Sequence, residues 1–284
     1  MQSAVLLSEE RDAFERDGYF VRRGALSSQE VAHYLRVVDK LAEAQSDASK
    51  VTSTIPNDTS LAFKFSESVE IRNAIALTDE LLPLLDYPGA FPLMAQLLGW
   101  NIQLSTSHVF VRLPTPREGA TFKAIDWHAD GPNPRPLRIA TGNGEIEPRL
   151  YAKIGYFLTD LSKPDKGNLR VVPGSHLNAN KPPVDSNGEP KGAIQVLTEP
   201  GDAVFFENRT WHAVGPNYSD EPRKNIYLGY CYRWVKPIDY VVQSAELLSK
   251  ANPVQRQLLG EVTDALSFYL PTRYPDDVPL KSEF

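Results

Sequence analysis

The sequence predicts a mainly β fold with flanking helices, in which a helical N-terminal part packs on an all-β core. Within the first hundred residues, apolar side chains recur at helical spacing. After Trp100 the pattern changes to short apolar runs, separated by clusters of Gly, Pro, Asn and Asp. Several short strands separated by such turn residues are typical of a β-sandwich or barrel.

The helical part is marked by local signals. Ser27 followed by Glu30 is a capping-box signature and predicts the start of an amphipathic helix. The apolar face of that helix is predicted to comprise Val31, Tyr34, Leu35, Val38 and Leu41. Two further helices are predicted over residues 81–85 and 91–98, the second ending at Gly99.

The β core is predicted from apolar runs that are bounded by turn residues. The predicted strands cover residues 102–113, 122–128, 151–158, 169–172, 194–197, 203–206 and 225–234. Two long connections, residues 131–149 and 178–192, are rich in polar and turn-forming residues and are interpreted as lids over a site. A last helix is predicted over residues 253–269.

We expect one domain over residues 1–284, because this length suits a single substantial core. Residues 1–100 are its mostly helical support, 101–240 its β core, and 241–284 a C-terminal helix and tail. We expect a monomer or a homodimer.

Composition narrows the class of protein. The formal net charge of −6 lacks the basic excess of a general nucleic-acid binder. No apolar run reaches the ~20 residues of a membrane span, and the first ten residues do not resemble a secretory signal. The single cysteine, Cys231, allows neither an intramolecular disulfide nor a Cys-rich zinc site, and is interpreted as a buried thiol in a strand. We therefore expect a cytoplasmic protein without nucleic-acid or membrane partners.

Three residues form a candidate metal site. In an extended strand, residues i and i+2 face the same side, so His128 and Asp130 can aim an imidazole and a carboxylate at one point. His212, after the strand at 203–206, supplies a third ligand. Two histidines and one carboxylate leave coordination positions open, an arrangement typical of iron(II) oxygenases, whereas a structural zinc site would be closed by four protein ligands. Of the other histidines, His33 is interpreted as a surface or packing residue and His108 as a hydrogen-bonded core residue.

A basic residue beyond the last candidate metal ligand suggests that the site also binds a carboxylate. Arg223 stands eleven residues after His212, and its guanidinium can hold a carboxylate through two parallel hydrogen bonds. A solvated charge beside Glu221 and Lys224 is the alternative. Lys153 lies on one face of the strand at 151–158, where it either pairs with a cosubstrate carboxylate or is a surface lysine.

Four motifs in order resemble the phytanoyl-CoA dioxygenase family of iron(II)/2-oxoglutarate oxygenases. They are WHAD at 127–130, GNLRVVPGSH at 167–176, PGDAVFFENRTWHAVGPN at 200–217 and PRKNIYLGY at 222–230, and FERDGYFVRRG at 14–24 resembles the family's entry strand. The resemblance covers roughly residues 10–240. It implies a double-stranded β-helix, the cupin-like jelly roll. It also implies His128, Asp130 and His212 as iron ligands and Arg223 as the 2-oxoglutarate anchor. Many relatives carry Ser where this chain has Asn225, which retains the ability to hydrogen-bond to the cosubstrate.

The function implied by the resemblance is oxidation of a C–H bond in a small organic molecule, with iron(II), 2-oxoglutarate and O₂ consumed to give succinate and CO₂. Hydroxylation, desaturation, epoxidation and cyclisation all remain open, and specialised metabolism is the preferred context. The alternative is a non-redox jelly-roll metal protein, such as an isomerase or a ligand-binding module, because this fold alone does not fix a function. Such a protein would need the two histidines but would have no use for Arg223.

Overall fold

A computed structural model describes residues 4–46, 61–65, 68–117, 125–131, 139–141, 144–178, 180–186 and 188–283. The strands, in chain order, are β1 (Tyr19–Arg22), β2 (Leu61–Phe65), β3 (Ser68–Arg72), β4 (Ile102–Arg112), β5 (Ile125–His128), β6 (Ile139–Thr141), β7 (Gly144–Ile146), β8 (Tyr151–Phe157), β9 (Leu169–Val171), β10 (Ile194–Gln195), β11 (Ala203–Glu207), β12 (His212–Val214) and β13 (Arg223–Tyr232). The α-helices are α1 (Ser8–Asp17), α2 (Ser28–Ser46), α3 (Leu82–Leu85), α4 (Phe91–Leu98), α5 (Ala245–Lys250) and α6 (Pro253–Leu258).

Two antiparallel sheets form the core. The major sheet has seven strands in the order β1-β11-β8-β13-β4-β3-β2, and the minor sheet has four in the order β10-β9-β12-β5. From β4 onward the chain alternates between them, because β4, β8, β11 and β13 join the major sheet while β5, β9, β10 and β12 join the minor one. This alternation is the connectivity of a jelly roll, and the predicted fold class is confirmed.

Period-2 alternation along the strands separates two apolar cores. On β4, Val109 and Val111 pack with the helices in the larger core, whereas Phe110 belongs to the smaller core inside the jelly roll. The smaller core also contains Phe157, Phe206 and Tyr227 from neighbouring strands of the major sheet. The inner face of the major sheet therefore borders the space between the two sheets.

The N-terminal part covers the outer face of the major sheet. The predicted capping box is present, since the Ser27 amide donates to Glu30 Oε2 (2.7 Å) and the Glu30 amide donates to Ser27 Oγ (3.3 Å). Of the predicted apolar face of α2, four residues are buried and Leu35 is partly buried against them. The N-terminal part also contributes three strands to the major sheet, of which β1 corresponds to the expected entry strand, whereas β2 and β3 were not predicted.

The last helix and the first predicted lid differ from expectation. The last helix ends at Leu258 rather than at residue 269, because Gly260 adopts a positive φ of +85°, which stops helical hydrogen bonding. Within the first predicted lid, β6 and β7 form an antiparallel pair. Residues 132–138 and 142–143 of that lid, and residues 122–124 of the predicted strand before it, lie outside the described residues.

Among the described helices, none combines the length and the apolar character needed to cross a membrane.

Candidate metal centre

The candidate metal ligands meet between two neighbouring strands of the minor sheet. His128 is the last residue of β5 and His212 the first of β12, and the two are register partners. Asp130 lies just beyond β5, with its Oδ1 at 3.8 Å from His128 Nε2 and its Oδ2 at 3.8 Å from His212 Nε2. The three ligand atoms all lie within 4.8 Å of one another. The structure thus brings together the three residues that the sequence nominated.

His212 is oriented as a ligand by its own loop. Its Nδ1 lies 2.8 Å from the carbonyl oxygen of Thr210, so Nδ1 carries the proton and Nε2 presents its lone pair to the centre. Burial lowers the pKa of His212 to about 3 despite the opposing charge of Asp130, which keeps the imidazole neutral. The Phe206 ring packs edge-on against it at 5.1 Å. A neutral, fixed imidazole is the form that binds a metal ion.

Asp130 is held ionised by its surroundings. Burial opposes its ionisation, but the positive charge of Lys153 outweighs this effect and lowers the pKa of Asp130 well below the ordinary value. Lys153 is mostly buried, and its Nζ lies 2.7 Å from Asp130 Oδ2. The alternative of a surface lysine is therefore wrong. In the structure Lys153 contacts the candidate ligand Asp130, and its pairing with a cosubstrate carboxylate stays a prediction.

The donor set fits a divalent transition metal with open positions. Metal–nitrogen and metal–oxygen bonds of about 2 Å place adjacent octahedral ligands about 3 Å apart, so the observed separations close around an ion after small side-chain shifts. The side chain of His128 is 50% exposed, whereas those of Asp130 and His212 are largely enclosed. The centre is consequently open on the side of His128.

Arg223 lies at the start of β13, fully buried on the inner face of the major sheet. Its guanidinium carbon lies 5.3 Å from the ring centres of both Phe110 and Phe157. Nη2 donates to the hydroxyl of Tyr227 (2.5 Å), whereas Nε and Nη1 have no hydrogen-bond partner among the described residues. Burial lowers the pKa of Arg223, yet a guanidinium remains charged in proteins. The alternative of a solvated surface charge is therefore wrong.

Burying a cation whose two N–H donors lack acceptors costs free energy, unless a bound anion accepts from those donors. Asn225, two residues further along the same face, is also fully buried, and neither atom of its amide has a partner among the described residues. Together these residues provide donors for a carboxylate and an additional polar contact. This chemistry fits one end of a dicarboxylate such as 2-oxoglutarate.

The motif glycine Gly167 makes room for Arg223. It adopts a φ of +81°, and a Cβ at this position would lie 3.2 Å from Arg223 Cδ and 3.4 Å from Arg112 Cγ. A larger residue would be strained and would press on both arginine side chains. The glycine that opens the GNLRVVPGSH motif is thus explained by the packing of the candidate anion site.

The remaining histidines lie away from the ligand set. His176 is buried, and its Nε2 lies 3.0 Å from the carbonyl oxygen of Glu15, which ties the turn after Gly174 to α1. His33 is partly exposed, with its Nε2 3.9 Å from Glu80. His108, expected to be a hydrogen-bonded core residue, has its Nε2 3.6 Å from Glu70 Oε2, which is too long for a good hydrogen bond.

Sequence reasoning missed two supporting residues. Tyr227 lies four residues after Arg223, on the same face of β13, and its hydroxyl accepts from Arg223. Gly155 leaves space for that ring, since a Cβ there would lie 2.5 Å from Tyr227 Cε1. Period-2 alternation could have placed each residue on the inner face of its own strand. Their contact follows from strand pairing, because Tyr227 and Gly155 are register partners on adjacent strands, and the sequence did not specify that pairing.

Comparisons with known proteins identify the family of the chain. The phytanoyl-CoA dioxygenase family model matches residues 14–225. Dioxygenase andF of Emericella variicolor is 29% identical over 117 residues, which are 40% of this chain and 39% of that protein. Ectoine dioxygenase of Nocardia farcinica is 24% identical over 251 residues, covering 78% of this chain and 76% of that protein.

A solved structure extends the comparison to the fold. HygX from Streptomyces hygroscopicus, crystallised with nickel and 2-oxoglutarate, superposes with a TM-score of 0.62 at 13% identity, covering 86% of this chain and 94% of HygX. The jelly roll is therefore shared at low sequence identity. Because the family model spans most of the chain, from the end of α1 into β13, this chain belongs to the phytanoyl-CoA dioxygenase family.

Proposed function

We propose that the chain is an iron(II)- and 2-oxoglutarate-dependent dioxygenase that oxidises a C–H bond of a small organic molecule. The observation that carries the proposal is the buried Arg223, whose Nε and Nη1 lack partners among the described residues of the jelly roll that also holds His128, Asp130 and His212. A non-redox jelly-roll protein would need the metal ligands, but it would gain nothing from burying an incompletely bonded guanidinium.

Each residue has a role that follows from its position. His128, Asp130 and His212 would hold iron(II) through two nitrogens and one oxygen and leave positions open. Arg223 would bind the distal carboxylate of 2-oxoglutarate, with Asn225 beside it. When bound, iron(II) and 2-oxoglutarate supply the activation of O₂, with succinate and CO₂ as coproducts.

The surrounding residues exclude water and fix orientation. Phe110, Phe157 and Phe206 line the interior with aromatic rings, so the carboxylate of the cosubstrate would meet Arg223 in an apolar setting. Charge-assisted hydrogen bonds strengthen in such a setting because no solvent competes for the donors. The Tyr227 hydroxyl fixes the guanidinium through Nη2 and leaves its other donors directed elsewhere.

A titration of 2-oxoglutarate against Arg223→Ala tests the proposal. Under anaerobic conditions the wild-type protein with iron(II) should develop the charge-transfer absorption of an iron(II)–2-oxoglutarate complex. Hydrogen bonds to charged groups contribute about 1.5–3 kcal/mol, so Arg223→Ala should weaken cosubstrate binding by roughly 10- to 100-fold or more. Arg223→Lys should recover only part of the loss, because an ammonium lacks the planar fork.

Two controls separate the anchor from the metal. Iron content should be unchanged in Arg223→Ala and lost in His212→Ala. An equal cosubstrate affinity in wild type and Arg223→Ala would remove Arg223 from the site. A wild-type protein that binds iron but neither binds nor consumes 2-oxoglutarate would favour the non-redox alternative.

The wider context is part of the same proposal. We propose that the substrate comes from specialised metabolism, and that the protein is cytoplasmic and either monomeric or homodimeric. The formal net charge of −6 and the buried Cys231, whose pKa burial raises to about 12, are compatible with a protein that neither binds nucleic acid broadly nor presents a reactive thiol.

A further inference from the structure

Two polar residues lie on the inner face of the major sheet, on the two strands that follow β13 in the order of the sheet. Glu70 is on β3 and His108 on β4. The neighbours of Glu70 in sequence, Val69 and Ile71, point into the helix-facing core. Glu70 therefore points into the jelly roll. His108 shares the inner face with Phe110, which belongs to the interior core.

The pair is enclosed but loosely bonded. The side chains of Glu70 and His108 are only 16% and 14% exposed, and His108 Nε2 lies 3.6 Å from Glu70 Oε2. That separation is longer than a good hydrogen bond, and His108 Nε2 is buried without any other partner among the described residues. A largely buried carboxylate ordinarily has better compensation than this. The geometry leaves Glu70 able to accept from a further donor.

The pair borders the proposed reaction centre. The His108 ring centre lies 6.4 Å from that of Tyr227, whose hydroxyl accepts from Arg223. Burial raises the pKa of Glu70, but the adjacent His108 imidazole and the positive charge of Arg72 outweigh it and lower the pKa. Glu70 thus remains ionised beside the face that carries Tyr227 and Arg223.

Arg72, two residues further along β3, has another partner. Arg72 Nη1 lies 3.9 Å from Asp239 Oδ1, and Asp239 also accepts from the amides of Asn73 and Ser107 and from the hydroxyl of Thr106. The positive charge of Arg72 is therefore shared with a buried carboxylate rather than directed only at Glu70. The Glu70 carboxylate therefore keeps the capacity to attract a cation.

We propose that Glu70 and His108 form the recognition wall of the substrate pocket and select a substrate that carries an ammonium group. This inference rests on the proposed function, since it names the class of substrate for the same centre. The ammonium group supplies a hydrogen-bond donor and a positive charge to the Glu70 carboxylate. His108 limits how the amine can sit, and the carbon skeleton of the substrate extends from the wall toward the open side at His128.

Matched ligands test the charge preference directly. Cyclohexylamine, cyclohexanol and cyclohexanecarboxylate share one ring and differ in one group, and the same three groups on linear and bicyclic frames complete the panel. Each compound is added anaerobically to protein loaded with iron(II) and 2-oxoglutarate. Binding is measured by ligand-observed NMR, with zinc(II)-loaded protein as the diamagnetic reference, so that extra broadening by iron reports proximity to the metal.

We expect ammonium compounds to bind more tightly than their hydroxyl and carboxylate counterparts and to be broadened by iron. Glu70→Gln, which keeps the shape and removes the charge, should weaken ammonium binding by roughly 10-fold or more. Glu70→Asp should retain the preference for ammonium. Glu246→Gln is the matched control, because Glu246 is an exposed carboxylate on α5 and its loss should change nothing.

Several results would overturn the inference. They are no binding by any ammonium compound, equal binding of ammonium and carboxylate compounds by the wild type, or unchanged ammonium binding in Glu70→Gln. The charge-transfer band, recorded on the same samples, separates this failure from that of the proposed function. A normal band without ammonium selectivity rejects Glu70 as the recognition group, whereas absence of the band in the wild type rejects the dioxygenase itself.

Discussion

Lys153 Nζ lies 2.7 Å from Oδ2 of Asp130, so a mostly buried ammonium contacts the carboxylate nominated as a metal ligand. The two residues come from different sheets, since Lys153 is on β8 of the major sheet and Asp130 follows β5 of the minor sheet. The contact therefore bridges the jelly roll. We infer that Lys153 orients the candidate ligand Asp130, which the sequence alone did not indicate.

Lys153→Met should weaken metal binding. Groups that hydrogen-bond to a metal ligand hold it in position, and their loss typically costs 10- to 100-fold in metal affinity. We expect a decrease of about that size, measured by competition with a chromophoric chelator. Lys250→Met, which removes an exposed lysine on α5, should leave the affinity unchanged. Tighter metal binding in Lys153→Met would instead mean that the ammonium competes with the metal for Asp130.

Gly155→Ala should disturb the cosubstrate site without touching a metal ligand. The new Cβ would lie 2.5 Å and 2.8 Å from two ring carbons of Tyr227, so the ring must move away from its hydrogen bond with Arg223. Overpacking of this kind typically costs about 1–3 kcal/mol of folding stability. We expect a lower urea midpoint and weaker 2-oxoglutarate binding, with iron content unchanged.

A double variant identifies the cause of that effect. Gly155→Ala combined with Tyr227→Leu removes the steric conflict, and the urea midpoint should rise above that of Gly155→Ala alone. Cosubstrate affinity should stay low, because the hydroxyl that holds Arg223 is absent. Wild-type stability and affinity in the single Gly155→Ala variant would contradict the assigned packing.

Glu207→Gln should destabilise the fold. The Glu207 side chain is fully buried and accepts from Arg149 Nε (2.6 Å) and from Arg209 Nε (2.5 Å) and Nη2 (2.9 Å), while Arg149 also binds Glu15 on α1. Removing one partner from a buried ion network leaves uncompensated charge and costs about 3–5 kcal/mol. Urea denaturation should show a loss of this size.

The exposed pair on α5 provides the comparison for Glu207. Glu246 is largely exposed, so Glu246→Gln should cost less than about 1 kcal/mol. Equal effects of the two substitutions would show that the Glu207 network contributes no more than a surface ion pair. Because Glu207 ends β11 and the turn after it leads to His212, the metal affinity of Glu207→Gln is an informative second readout.

Local patterns predicted much of the fold. The Ser27–Glu30 capping box and the apolar face of α2 appeared as expected, since both depend on residues within one or two helical turns. Strand positions were also close, and β4 and β8 each differ from expectation by one residue at the end. The hairpin of β2 and β3 was missed, because its membership of the sheet depends on pairing with β4.

By itself, the sequence determined the class of fold, the family and the candidate ligands. His128 and Asp130 are two residues apart on one strand end, and the motif order placed His212 and Arg223, so short-range geometry and motif spacing were sufficient. Only the tertiary structure decided that Lys153 meets Asp130, that Tyr227 holds Arg223, and that Glu70 and His108 share one wall. The physical reason is that side-chain alternation fixes which face of a strand a residue occupies. Partners on that face depend on strand order and register, which arise from packing of the whole jelly roll.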